Sequence, residues 1–201
     1  MPRGDFMRRY LTALLAVALF GCASQPQPTP GDSVIVFIVP SMTSESGQYQ
    51  PTYGDAPTLS LHDVTGGARK IVAVLTVGNK VGYRVPPGKY EFMVANRYST
   101  DFMEASVAGG KTYYAILQLQ GDGSYSQRYG FRPVRAGDFD SGAFRRWDSN
   151  THFVKRPAKW RAWEIDNEES LDKRLREHRP AWDKQSPAER RLRTIQVSDG
   201  R

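Results

Sequence analysis

IVAVLTVGNKVGYRVPPGKYEFMVANR (71–97) decides the fold class. IVAVLTV (71–77) is an apolar, β-branched run too short for a helix, and Gly78-Asn79 turns it into KVGYRV (80–85). Pro86-Pro87-Gly88 then turns the chain into KYEFMVANR (89–97). Tyr90, Phe92 and Val94 fall on one face of that run and Lys89, Glu91 and Met93 on the other, the period of a half-buried strand. Pro86 and Pro87 restrict the approach to the turn, and Gly88 permits a positive φ. Upstream lie VIVFIV (34–39), a continuous buried-strand run ended by Pro40, and TLSLHDV (58–64) ahead of Gly66-Gly67. Downstream lie FMEASV (102–107), the Gly109-Gly110 turn, TYYAILQLQ (112–120) and SYSQRYGFRPV (124–134). Residues 41–57 form a long polar loop. No helix-length period interrupts the strands, which predicts a mostly β domain: an antiparallel β-sandwich or small barrel of about 7–8 strands.

Composition narrows the class further. The chain has 201 residues, 39% hydrophobic and 24% charged, with 18 Gly, 13 Pro and a net charge of +7. That excludes a polytopic membrane protein, a coiled coil and a collagen-like chain. A single Cys excludes an internal disulfide and a multi-thiol zinc site. His62, His152 and His178 show no ligand spacing, so no metal and no cofactor are expected. His62 and Asp63 are neighbours on one strand and point to opposite faces, poor geometry for a charge relay. No G-x-S-x-G or H-E-x-x-H occurs, and GDGSYSQRYG (121–130) lacks the Lys-Ser/Thr of a phosphate loop. No catalytic residue is nominated.

The N-terminus sets the address. Arg3, Arg8 and Arg9 precede Leu11–Phe20, ten residues that reach only ~15 Å as a helix, half a bilayer core and the length of a signal-peptide h-region. Leu19-Phe20-Gly21-Cys22 resembles the lipobox of bacterial lipoproteins, which implies cleavage before Cys22 and lipidation of its thiol. Two or more acyl chains hold a protein on a bilayer where one does not. Ala23 and Ser24 follow, with no Asp after Cys22; in Gram-negative lipoproteins this pattern implies the periplasmic face of the outer membrane. Such an address takes the chain away from nucleic acid.

The expected organisation is a signal peptide (1–21), an acylated Cys and Pro-rich tether (22–33), a β-sandwich (34–135) and a basic, Trp-rich extension (136–201). Pro26, Pro28 and Pro30 would stand the domain off the lipid by ~30 Å at full stretch. In the extension, two short helices are predicted. One spans Asn167–His178, with Asp166 and Glu169 as its capping box, and is broken by Pro180; the other starts at Ser186-Pro187-Ala188-Glu189. FRRWDSNTHFVKRPAKWRAWEI (144–165) interleaves cations with large aromatics. Trp147, Trp160, Arg161 and Trp163 are candidates for contact with lipid headgroups, another envelope protein or an anionic glycan. The competing reading packs these tryptophans over a sheet edge.

PPGKYEFMVAN (86–96), AGGKTYYAILQLQ (108–120) and VIVFIVP (34–40) together resemble the β-rich domain of a family of small bacterial lipoproteins. A more distant similarity is to PEGA-type surface modules, which share the Pro-Gly-x-Tyr turn. The resemblance covers about residues 34–120 and implies a fold and an envelope location without catalytic residues. The 41–57 loop and the 140–201 segment depart from the family pattern. A lipid-anchored structural or interaction module is therefore expected. The alternative is an envelope enzyme or accessory acting on glycan, which requires paired carboxylates converging in a cleft.

Overall fold

The computed structural model describes residues 26–41, 58–120, 128–155 and 159–201. Cys22 and the lipobox lie outside these residues, as do the Gly121-Asp122-Gly123 turn and most of the 41–57 loop. Among the described residues, ten strands form two five-stranded sheets packed face to face. The first sheet has the order β8 (Tyr129–Pro133), β7 (Thr112–Leu119), β1 (Ser33–Ile38), β4 (Asn79–Val85), β9 (His152–Phe153). The second has the order β10 (Thr194–Ile195), β6 (Thr100–Val107), β5 (Gly88–Ala95), β2 (Leu59–Asp63), β3 (Lys70–Leu75).

Ile35, Phe37, Leu59, Leu61, Phe92, Met103, Tyr113, Leu117 and Phe131 fill the space between the sheets. Phe37 meets Phe92 edge-on at 5.0 Å between centroids. The alternation of 89–97 holds: Phe92 and Val94 face this core, while Met93 faces the other side. All six residues of β1 are buried, because both faces of the first sheet are covered. α1 (Gly142–Ser149), capped by Ser141, lays Phe144 and Trp147 over Val34, Val36, Ile38, Tyr114 and Ile116. On the second sheet, α2 (Lys159–Asp183) buries Trp182 and packs Leu175 against Val64, Met93 and Phe102. The layers are thus helix, sheet, sheet, helix.

The expected sandwich is present; its strand directions and C-terminal elements differ from expectation. The sheets are mixed, since β1 with β7, β4 with β9 and β6 with β10 run parallel. They do not close into a barrel. Side chains at and just before the start of β6 occupy the outer edge of β8: the Phe131 N–H donates to Asp101 Oδ2 at 2.8 Å and the Tyr129 N–H to Ser99 Oγ at 2.9 Å. Asp166 and Glu169 cap nothing, because α2 begins at Lys159. It continues through Pro180, where the anchoring of Trp182 against Phe102 (6.1 Å) holds the last turn against a lost backbone bond of a few kcal/mol. α3 (Pro187–Leu192) does start as expected, with Ser186 and Glu189 forming a capping box.

Residues 136–201 are not an appendage to the sandwich. They supply α1, β9 and β10, and both Trp160 and Ile195 belong to the central core. At the end of the sequence, the backbones of Arg201 and Thr112 exchange two hydrogen bonds, 2.8 and 3.1 Å.

Candidate functional site

The cationic-aromatic segment is the first test. Trp160 is 6% exposed inside the main core, and Trp163 packs against the same cluster. Trp147 is half-buried on the first sheet with the Arg132 guanidinium 5.0 Å above its ring. Only Arg161 is exposed, so the four do not form one contact surface. The reason is hydrophobic: burying a ring of that size outweighs what it gains at a wet surface. As a contact residue, Trp160 is corrected to core.

The turn residues do come together. Pro87 and Gly109 pack side by side at one end of the sandwich, and a Cβ on Gly109 would lie 3.2 Å from Pro87 Cγ and 2.8 Å from the Gly31 carbonyl oxygen. Gly110 (φ 76°) donates its N–H to the Asp32 carbonyl at 2.6 Å. Tyr90 Oη donates to the Pro86 carbonyl at 2.9 Å, locking the other turn. Gly88 opens β5 at φ 159°, close to fully extended, rather than in a left-handed turn.

These contacts also decide what the Pro-rich segment does. From Pro26 onward it is docked, not free. Pro26 sits where a side chain on Gly82 would stand, 2.4 Å from its Cβ position, and Arg84 donates to the Gln27 carbonyl at 2.7 Å. Gly82 pairs with Val36 on the outer face of the first sheet, the face that α1 covers. The tether expected over 22–33 is therefore body from residue 26.

Around that docking point the outer face is basic. Arg145 and Arg146 lie on the side of α1 opposite Phe144, and Arg84 and Arg132 rise from the strands beside it; all four are exposed. Lys80 is different: its Nζ pairs with Asp148 at 2.6 Å and lies 4.8 Å from the Phe153 ring centre, tying α1 to β4. Arg201 places its guanidinium among Tyr114, Phe139 and Phe144, 4.7 to 5.3 Å from each ring centre. Cation–π attraction makes that an aromatic box filled by the chain itself.

The second sheet carries the carboxylates. Glu91 and Glu104 are direct cross-strand neighbours, and both line an open groove of about 350 Å³ with Lys89, Tyr90 and Ser106. Like charges placed so are repulsive unless partnered. Arg179 of α2 meets Glu91 at 2.5 Å and Arg190 of α3 meets Glu104 at 3.4 Å. Burial pushes the Glu91 carboxyl above its ordinary range, and Arg179 opposes that rise. The pair fastens two helices to the sheet. Asp101 does the same for the segment before β10, pairing with Arg193; burial raises its carboxyl and the arginine pulls it down.

Deeper under α2, Arg69 is 5% exposed and bridges Asp172 (2.8 Å) and Glu164 (3.3 Å). Its Nη1 lies 3.4 Å from Nδ1 of His62, which is fully buried. Burial, then the Arg69 charge, lowers the His62 pKa to about 3, so the ring is neutral. Asp63 turns the other way and accepts from Tyr83 Oη at 2.9 Å, so His62 and Asp63 form no relay. Among the described residues no group of three or more His, Cys, Asp or Glu is placed to hold a metal ion.

Sequence reasoning missed α1, Trp182 and the aromatic box. Ser141 as an N-cap, with Phe144 and Trp147 one turn apart, was the available signal for α1. None of the protein-family profiles matches the chain, and no curated protein matches it either.

Proposed function

We propose that this chain is a lipid-anchored envelope protein whose β-sandwich serves as a structural or interaction module at the periplasmic face of the outer membrane. The small-lipoprotein resemblance of residues 34–120 belongs to the same proposal. The observation that carries it is positional. Cys22 stands four residues ahead of Pro26, where the chain seats on the folded body, so acylation there would hold a rigid module on the bilayer with almost no leash. The reading as a glycan-acting enzyme rests on Glu91 and Glu104. It is less supported because both carboxylates are engaged by helix arginines.

The test is fractionation of a Gram-negative host expressing the full chain and its Cys22→Ser variant. The wild type is expected in the outer-membrane fraction and the variant unprocessed at the inner membrane. Identical processing and distribution of the two would overturn the anchor.

A further inference from the structure

We infer that the α1 face of the sandwich lies against the bilayer and binds anionic phospholipid headgroups. This rests on the proposed anchor at Cys22 and adds the surface, its orientation and its ligand.

The geometry is a matter of reach. A chain spans at most about 3.6 Å per residue, so the four steps from Cys22 to Pro26 cover no more than ~14 Å. Pro26 and Gln27 are pinned to Gly82 and Arg84 of β4, on the side of the first sheet that α1 covers. A lipid on Cys22 therefore brings that side to the headgroups, and the α2 side, beyond two sheets, points away.

Charge gives the same polarity. Arg84, Arg132, Arg145 and Arg146 are exposed on this face. Residues 136–149 bring three acidic side chains beside them. Asp148 is paired with Lys80, Asp138 accepts from the Arg135 N–H at 2.9 Å, and Asp140 is exposed. α2 on the opposite side carries six basic and seven acidic side chains. An anionic bilayer attracts each nearby arginine by about 1 kcal/mol, about fivefold in affinity, and the half-buried Trp147 beneath Arg132 sits at the rim as an amphipathic ring does at an interface.

Ser149 and Ser170 are exposed on α1 and α2 and report on the two faces. Ser149→Cys and Ser170→Cys variants of the full protein would be spin-labelled and reconstituted in phosphatidylcholine vesicles with or without phosphatidylglycerol. A nickel chelate on the headgroups serves as relaxant. Relaxation is expected at position 149 and not at 170, strengthened by phosphatidylglycerol and suppressed by about 1 M salt, where the Debye length is ~3 Å. Arg145→Glu with Arg146→Glu should weaken the effect at 149 about tenfold or more. Equal relaxation at both positions, stronger relaxation at 170, or an unchanged charge-reversed variant would overturn the inference. Failure of the anchor shows separately, as loss of co-sedimentation with pure phosphatidylcholine vesicles in high salt. In that case the comparison of 149 with 170 on phosphatidylglycerol vesicles still decides the face.

Discussion

The two outer faces of the sandwich are covered by helices in different ways. On the α1 side the contact is aromatic: Tyr114, Phe139 and Phe144 meet edge-on at 5.1 to 5.7 Å, and the arginines of α1 itself stay outside. On the α2 side an apolar patch around Trp182 is ringed by ion pairs from Arg69, Arg179 and Arg190. The first face depends mainly on buried area, with Lys80 and Asp148 as the ion pair between α1 and β4. The second depends on protonation states, several of them shifted by burial. The face held mainly by packing leaves Arg84, Arg132, Arg145 and Arg146 exposed, which suits it to the anionic surface proposed above.

The sharpest way to break this contrast is Phe144→Ala. Removing a fully buried ring from the α1 plate should cost about 3–5 kcal/mol in denaturant unfolding, by the same amount at pH 5 and pH 7. A loss under 1 kcal/mol would mean that α1 is not the cover of the first sheet.

Acidification should act on the other face. His62 binds a proton in the unfolded chain below its ordinary pKa of 6.5 and in the folded protein only near about 3. Between those values the unfolded state holds more protons, so stability falls as pH falls, by at most ~1.4 kcal/mol per unit. Glu91 and Asp101, whose carboxyls are raised by burial, act with the opposite sign and offset part of it. The net expectation is a loss of about 2–3 kcal/mol between pH 6.5 and pH 4. Urea titrations across pH measure it, and His62→Leu should remove most of the slope. A slope unchanged in that variant would place the sensitivity elsewhere.

Gly82→Val has the smallest expected effect. A side chain there occupies the place of Pro26, so residues 26–32 should detach at about 1 kcal/mol and become open to limited proteolysis, with the sandwich intact. Resistance equal to wild type would show that the segment is held by other contacts.

Much of the fold was legible in the sequence where one strand declares itself alone. VIVFIV and the alternation of 89–97 carry their burial on their surface, and the Gly and Pro turns separate them. Pairing is not local, which is why the parallel alignment of β1 with β7 was hidden. β9 and β10 are two residues each, too short to show any period. Trp160 and Trp163 looked like contact groups because their neighbours are charged; only the third dimension shows that Trp160 lies in the core and Trp163 packs against it. Pro180 predicted a stop, and tertiary anchoring at Trp182 overrode it. The basic face was illegible for a related reason, since Arg84 and Arg132 stand far in sequence from Arg145.

Intact mass spectrometry of the protein extracted from envelope membranes tests the proposed lipid anchor most directly. The expected species is the chain beginning at Cys22 with two or three acyl groups and no thiol reactive toward maleimide. A chain that retains residues 1–21, or a free, reactive Cys22, would contradict it.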